Sequence, residues 1–260
     1  MKVLLLQMDI QWNNPCENIR KAERMIGEKA FDLLVLPEMW ATGFITAPQG
    51  LADEESSSQA LEWMHRTANE RQCAVCGSLA IHAADGSYRN RHYFVTPATE
   101  YFYDKHHLFT HGHEHEHYTA GSQQIVVQWK GFSFLLLTCY DLRFPVWSRY
   151  GIAGHYDAII CVANWPDKRL FAWEVLTKAR AIENQCFVLA VNRVGSDPVS
   201  NYHGGTTVID PIGKTLACCK EKTEQPLEVE LSLEEVLKRR THFRVLDDRD
   251  VQLSDFVSVT

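Results

Sequence analysis

The sequence has no apolar run that approaches the roughly 20 residues needed to cross a bilayer. It also has no excess of positive charge, because 26 Lys and Arg residues stand against 33 Asp and Glu, for a net charge of −7. We therefore expect neither a nucleic acid nor a membrane as a partner. Fixed-length repeats and low-complexity linkers are missing as well, so we expect residues 1–260 to form a single domain.

The first nine residues contain a short apolar stretch but no small-residue cleavage site, and we interpret them as a first strand rather than a signal peptide. Most of the eight cysteines lie in apolar, strand-like runs. Reduced thiols in a cytoplasmic protein are therefore expected, and not a disulfide framework. Cys73 and Cys76 have the spacing of a redox motif, but they lie inside an apolar run and are interpreted as strand packing.

Apolar periodicity predicts strands that alternate with helices at first and are later interspersed with hairpins. The predicted strands are 3–8, 32–36, 73–81, 91–96, 101–105, 124–129, 132–137, 157–163, 186–191, 206–209, 214–218 and 228–231, and the predicted helices are 15–29, 56–70, 171–183 and 232–240. A hairpin turn is predicted at Asp85-Gly86. We interpret 39–55 as a loop, and we expect the tail 241–260 to pack on a partner subunit. The mixed pattern predicts an α/β fold with helices packed outside more than one sheet.

Three residues with catalytic potential stand at the ends of predicted strands: Glu38, Lys105 and Cys139. Pro145 suits the first turn of a helix, so Cys139 should lie at a strand-to-helix turn whose backbone N–H groups can bind an anion. Ligand sites in α/β sheets gather at the carboxyl ends of strands. We therefore predict that the three side chains share one site.

Each of these residues also has a purely structural interpretation. Cys139 could be a buried thiol, Glu38 a solvated loop acid and Lys105 a surface lysine. Taken together, however, they supply a base, an electrostatic stabiliser and a nucleophile. That set suits acyl transfer from a carbon–nitrogen bond through a thioester.

The segment from His106 to His117 has an unusual composition, with six of the twelve histidines and two glutamates. In an extended chain, the four histidines at 111, 113, 115 and 117 would share one side, whereas on a helix they would pair four residues apart. Imidazole suits zinc or nickel, but cysteine partners at ligand spacing are missing. We predict no metal and no cofactor, and keep a His-rich metal-binding protein as the alternative of a different class.

Three blocks of the chain resemble the signature blocks of the nitrilase (carbon–nitrogen hydrolase) superfamily. They are Leu36-Pro37-Glu38, the segment from Tyr103 to Phe109, and the segment from Thr138 to Pro145. The resemblance extends to further short motifs at 164–166, 178–184 and 192–195, and covers residues 3 to about 232. The Asn-Trp-Pro motif and the Tyr after the Cys are most similar to bacterial omega-amidases.

The resemblance implies a four-layer α-β-β-α sandwich, nitrilase-like, with two mixed sheets and helices outside. It also implies that two copies form a homodimer, or a higher homo-oligomer, through helices. Glu38 matches the general base of the superfamily, Lys105 its catalytic lysine and Cys139 its nucleophile. The supporting glutamate is assigned to Glu114, with Glu116 as the competitor.

The implied activity is that of a thiol-dependent amidase. Its small-molecule substrate would be an omega-amide of a dicarboxylate, such as 2-oxoglutaramate or 2-oxosuccinamate, and the products would be ammonia and the dicarboxylate. The three blocks do not separate this reaction from hydrolysis of a nitrile or a carbamoyl amide, or from amide-forming acyl transfer.

A substrate of this kind carries a carboxylate far from its amide, so its pocket needs a cation. The candidates for that role are Arg143, Lys168, Arg169 and Arg193, although Arg143 lies in the cysteine block and could serve structure instead. The remaining candidates for the substrate or oxyanion site are Tyr140 through its backbone N–H, Asn164, Trp165 and Phe44.

Overall fold

The structure is a computed structural model that describes residues 1–152 and 154–250. Its helices are α1 Pro15–Ile26, α2 Gln59–Arg71, α3 Pro145–Ser148, α4 Leu170–Asn184 and α5 Leu233–His242. Its strands are β1 Lys2–Gln7, β2 Leu33–Val35, β3 Asp53–Glu54, β4 Ala74–His82, β5 Tyr88–Val95, β6 Glu100–Asp104, β7 Val126–Trp129, β8 Phe132–Thr138, β9 Ala158–Ala163, β10 Phe187–Asn192, β11 Val194–Ser196, β12 Asn201–His203, β13 Thr207–Ile209, β14 Thr215–Cys218 and β15 Gln225–Glu230.

Two mixed sheets form the centre of the molecule. The first has the order β15-β1-β2-β4-β5-β6, with β3 paired to β4, and the second has the order β14-β13-β10-β9-β8-β7. Parallel pairs occupy the middle of each sheet: β1 with β2 and β2 with β4 in one, and β8 with β9 and β9 with β10 in the other. Antiparallel strands flank them, and β11 and β12 form a separate hairpin.

Strand β1 shows how a continuous apolar run serves two cores. Leu5 packs between the two sheets with Val35 and Phe134. Leu4 and Leu6 point to the opposite face and pack in the core under the helices. Side chains alternate along a strand, so a strand covered on both faces is apolar at every position.

The outer faces of the two sheets are covered by helices. Ala22 of α1 and Trp63 of α2 belong to the core on the first sheet, whereas Trp173 and Ala181 of α4 belong to the core on the second. The layers are therefore helix, sheet, sheet and helix. This confirms the α/β class and the four-layer sandwich predicted from the sequence.

The short elements are where the sequence interpretation was wrong. The predicted loop 39–55 contains the two-residue strand β3, and the hairpin of β11 and β12 was not predicted at all. Strands of two or three residues are too short to show an alternation of apolar and polar residues. The helix after Pro145 is a single turn, Pro145–Ser148.

The end of the described chain packs on the protein itself. Helix α5 runs to His242, and Arg240 donates hydrogen bonds to the backbone oxygens of Tyr156 and Gln185. Residues 251–260 of the predicted tail lie outside the described residues, so its packing on a partner stays a prediction. Within the described residues, no helix combines the length and the apolar character that a membrane span requires.

Candidate active site

Glu38, Lys105 and Cys139 follow β2, β6 and β8 respectively. Two successive antiparallel pairings, β4 with β5 and β5 with β6, make β6 run in the same direction as β2. Their carboxyl ends therefore lie at the same edge of the first sheet. Strand β8 of the second sheet packs face to face with β5, where the rings of Phe94 and Phe134 have centroids 5.9 Å apart.

The ammonium group of Lys105 lies between two carboxylates in the interior. Its Nζ donates to Oε1 of Glu38 at 2.9 Å and to Oε2 of Glu114 at 2.8 Å, and all three side chains are fully buried. Burial alone would lower the pKa of Lys105, but the charges of Glu114 and Glu38 raise it well above its ordinary value. An ammonium group has three N–H donors, so one remains for another partner.

The two carboxylates are also joined through Asn90. Its Nδ2 donates to Oε1 of Glu38 at 2.8 Å and to Oε1 of Glu114 at 2.9 Å, and its Oδ1 accepts a hydrogen bond from Ser78. Burial raises the pKa of Glu114, and the charge of Lys105 opposes this rise. Sequence reasoning missed Asn90 and Ser78, because both lie inside regular strands and belong to no motif.

Asn164 holds Glu38 from the other side. Its backbone N–H donates to Oε2 of Glu38 at 2.8 Å, and its Nδ2 donates to the backbone oxygen of Glu38 at 2.6 Å. Asn164 follows β9, the parallel neighbour of β8, so it lies near Cys139 at the same sheet edge. The carboxylate of Glu38 is thereby fixed by Asn90, Lys105 and Asn164.

Cys139 begins a single 3-10 turn, Cys139–Arg143, directly after β8. Its φ of 48° lies in the left-handed region, which is uncommon for a residue with a side chain. The first N–H groups of such a turn have no acceptor within it. Burial and the charge of Glu38 raise the pKa of the Cys139 thiol well above its ordinary value, against the charge of Lys105.

Asp141 ties the turn of Cys139 to the loop after β6. Its buried carboxylate accepts hydrogen bonds from the Tyr103 hydroxyl at 2.7 Å, from the Thr138 backbone N–H at 3.0 Å, and from the His107 backbone N–H at 2.9 Å. The Nδ1 atom of His107 lies 2.9 Å from the same carboxylate. This network fixes the turn that carries Cys139 relative to the segment that begins with Lys105.

A cavity of about 910 Å³ opens beside these groups. Cys139 and Asn164 line it, and so do four other residues predicted for the substrate or oxyanion site: Phe44, Tyr140, Arg143 and Trp165. The Nζ of Lys105 lies 5.2 Å from the centre of the Phe44 ring. The buried cluster of Lys105, Glu38 and Glu114 is therefore adjacent to a space that can hold a small molecule.

Three of the four predicted cations line this cavity. The guanidinium of Arg143 lies 4.8 Å from the ring of Trp165, Arg169 lies 5.3 Å from the ring of Phe109, and Lys168 also contributes to the wall. Arg193 does not, because it is buried and donates to the backbone oxygens of Val194, Ile10 and Ser196. It was considered for the substrate carboxylate, but it has a structural role instead.

The histidine segment forms neither the extended chain nor the helix considered above. It folds into two 3-10 turns, Thr110–Gly112 and Glu114–Glu116, separated by His113 at φ 60°. This geometry turns Glu114 inward to Lys105 and leaves Glu116 exposed, where it contacts His113 at 2.8 Å. Residues 1–152 and 154–250 contain no group of three or more His, Cys, Asp or Glu side chains arranged to hold a metal ion.

The site combines a buried Glu–Lys–Glu cluster with an adjacent cavity lined by a cysteine, in a four-layer sandwich. Residues 2–241 match the carbon-nitrogen hydrolase family. The chain belongs to this family and is a carbon–nitrogen hydrolase. The family and the enzyme class predicted from the three sequence blocks are confirmed.

Several relatives match nearly the whole chain. The omega-amidase YafV of Escherichia coli is 39% identical, with 96% of this chain and 97% of the relative covered. The 2-oxoglutaramate amidase of Bacillus subtilis is also 39% identical, with 94% and 95% covered. The crystal structure of XC1258 from Xanthomonas campestris, a CN-hydrolase superfamily protein, matches with a TM-score of 0.91 at 33% identity, covering 97% and 98% of the two chains.

Proposed function

We propose that this enzyme hydrolyses the terminal amide of a small omega-amide of a dicarboxylate through a thioester on Cys139. The observation that carries the proposal is the position of Lys105. Its buried ammonium bridges Glu38 and Glu114 next to the cavity that Cys139 lines. A base, a positive charge and a nucleophile are thus available to one substrate molecule.

In this scheme the thiol of Cys139 is protonated at the start, because burial and the charge of Glu38 raise its pKa. The thiolate nucleophile therefore forms only when a base accepts the proton. Glu38 is the acceptor in this scheme. Its Oε2 accepts a single hydrogen bond from the described residues, that of the Asn164 backbone, and so keeps a lone pair for the proton.

The thiolate attacks the amide carbonyl, and the oxyanion is bound by the remaining N–H of Lys105 and the backbone N–H of Tyr140. Removal of one such donor typically lowers kcat by about 100- to 1,000-fold. Glu38 returns the proton to the nitrogen, ammonia leaves, and the acyl group stays on Cys139. Glu38 then activates the water that hydrolyses the thioester, while Glu114 holds Lys105 in place.

The wall of the cavity and the names of the relatives support the proposed substrate class. Arg143 presents a cation beside Trp165, with Lys168 and Arg169 nearby. These groups suit a carboxylate at the far end of the substrate, as in 2-oxoglutaramate or 2-oxosuccinamate. Two relatives at 39% identity are an omega-amidase and a 2-oxoglutaramate amidase.

The test is to trap the covalent intermediate. The enzyme is mixed with an omega-amide and quenched in acid, and the peptide that contains Cys139 is weighed. We expect a mass increase equal to the acyl group, together with ammonia release, and neither in the Cys139→Ala variant. Ammonia release by Cys139→Ala at the wild-type rate would overturn the scheme.

A substrate panel separates this reaction from the alternatives in the same family. Omega-amides, nitriles and carbamoylated amines are compared by kcat/KM for ammonia release. We expect the omega-amides to be preferred. Preference for a nitrile or a carbamoyl amide would retain the cysteine chemistry and replace the substrate class.

We further propose that two copies associate through the outer face of α4. Phe171, Val175 and Ile182 lie on one side of this helix and are 78%, 46% and 52% exposed. Exposed apolar residues on one helix face are typical of an interface. Light scattering after size exclusion should give the mass of a dimer, and Phe171→Glu should shift it to a monomer.

A further inference from the structure

We infer that the side-chain oxygen of Asn164 accepts a hydrogen bond from the N–H of the substrate amide. This hydrogen bond makes Asn164 a residue that selects amides over substrates without an N–H at the leaving group, such as esters. The inference rests on the proposed amidase function. It adds a subsite for the leaving group to the base, the oxyanion donors and the carboxylate site.

The orientation of the Asn164 amide is fixed by its partner. Its terminal nitrogen donates to the backbone oxygen of Glu38 at 2.6 Å. A carbonyl oxygen can only accept a hydrogen bond, so the opposite orientation would place two acceptors against each other. The side-chain oxygen of Asn164 must therefore face away from the Glu38 backbone.

That oxygen has no hydrogen-bond partner among the described residues, although Asn164 is only 4% exposed. Most buried side-chain polar atoms have a partner, and one without a partner costs free energy in the folded protein. Among residues that line the cavity, the other such atom is Nδ1 of His203, which has the Asp167 carboxylate 3.4 Å away. The acceptor of Asn164 has no comparable neighbour.

Asn164 lies close to the groups that are proposed to act on the leaving group of the reaction. Asn164 and Cys139 line the same cavity, and they follow the parallel neighbours β9 and β8. The backbone N–H of Asn164 donates to Oε2 of Glu38, the oxygen proposed to carry the proton to the leaving nitrogen. An amide nitrogen held next to this oxygen has an N–H to donate to Asn164, whereas an ester oxygen or a nitrile nitrogen has none.

The test compares two substrates that share one acyl group, succinamate and monomethyl succinate. Both give the same thioester, so the ratio of their kcat/KM values reports only the steps through acylation. We expect Asn164→Ala to lower this amide-to-ester ratio by about 10-fold, the effect of one lost hydrogen bond. General damage to Glu38 would also lower this ratio, because a leaving amine needs a proton from the general acid more than a leaving methanol does, so a control variant must measure that effect.

Asn90→Ala is the matched control. Asn90 also holds Glu38 through its Nδ2, but its own oxygen accepts from Ser78 and does not face the cavity as a free acceptor. We expect Asn90→Ala to lower kcat/KM for both substrates, and to lower their ratio by several-fold less than Asn164→Ala does. An unchanged ratio in Asn164→Ala, or an equal fall of the ratio in both variants, would overturn the inference.

A binding measurement tests the inference if the Asn164 variant is unstable or the enzyme does not turn over the ester. In Cys139→Ala, calorimetry should give a dissociation constant for succinamate about 10-fold lower than for monomethyl succinate. Equal affinities would contradict the inference while leaving the amidase function intact. If the wild type releases no ammonia from any omega-amide, the proposed function fails, and the inference fails with it.

Discussion

Replacement of Glu114 by Gln removes one of the two negative charges around Lys105 while keeping the shape of the side chain. The carbonyl oxygen of Gln can still accept from Lys105 and from the backbone N–H of Phe109, which lie 2.8 and 2.6 Å from Oε2 of Glu114. The amide nitrogen of Gln then takes the place of Oε1 and cannot accept from Asn90 Nδ2, so the substitution removes one charge and one hydrogen bond. It leaves Glu38 as the single carboxylate bound to Lys105.

The size of the effect follows from the distances. Glu38 and Glu114 both accept from Asn90 Nδ2, so the bonded oxygens lie within about 6 Å, and at an effective dielectric constant of about 20 their repulsion is about 3 kcal/mol. This repulsion makes Glu38 a better proton acceptor in Glu114's presence. If half to all of this repulsion energy lowers the barrier to proton transfer in the wild type, its loss in Glu114→Gln lowers kcat by about 10- to 100-fold.

The assay is ammonia release from an omega-amide, measured over substrate concentration at fixed pH. The matched control is Glu116→Gln, which removes the same charge from the same 3-10 turn at a side chain that is 51% exposed. We expect Glu116→Gln to retain kcat within about 2-fold, because an exposed charge is screened by solvent. Thermal melts establish that both variants are folded.

Two results would refute this reasoning. If Glu116→Gln loses activity and Glu114→Gln does not, the assignment of the supporting glutamate is wrong. If Glu114→Gln instead raises KM and leaves kcat unchanged, Glu114 acts in binding, and its charge does not influence proton transfer.

Three other predictions follow from the structure. Burial lowers the pKa of His92 from 6.5 to about 3. The neutral imidazole therefore contributes its full stability above pH 6.5, and this contribution falls as the pH falls towards 3. Between pH 7.5 and pH 5, the free energy of unfolding in urea should fall by about 2 kcal/mol more for the wild type than for His92→Gln. An equal loss in both would contradict this. Arg143→Gln should raise KM for an omega-amide that carries a carboxylate by about 10-fold or more, but should hardly change KM for butyramide, which has no carboxylate. Lys168→Gln is the control. An equal rise of KM for butyramide would exclude a contact between Arg143 and the substrate carboxylate. Treatment with EDTA should leave activity unchanged, and restoration of lost activity by zinc or nickel would favour the metal-binding alternative.

Much of the fold could be predicted from the sequence, because long buried strands are apolar at every position. The run from Phe132 to Leu137 predicts a strand, and β8 covers it. The turn at Asp85-Gly86 predicts the hairpin of β4 and β5, which the structure contains. Elements of two or three residues, such as β3 and β11, carry too little pattern to be recognised.

The electrostatic partners within the site required the tertiary structure. Asn90 lies in the middle of β5 and belongs to no motif, yet it bridges Glu38 and Glu114. Arg193 lies within the family motif at 192–195 and was a candidate for the cavity, but the fold buries it against backbone oxygens. Hydrogen-bond partners far apart in sequence are set by strand order, which local composition does not encode.

The sequence by itself identified Glu38, Lys105 and Cys139 as candidate catalytic residues and predicted the class of fold that holds them, because strand ends, apolar runs and the three family blocks are local features. The choice between Glu114 and Glu116 for contact with Lys105 was made by the tertiary structure. Two residues apart in one short segment, they differ only in the direction that the two 3-10 turns give their side chains. The same holds for the free acceptor of Asn164, whose orientation depends on a backbone oxygen 126 residues away.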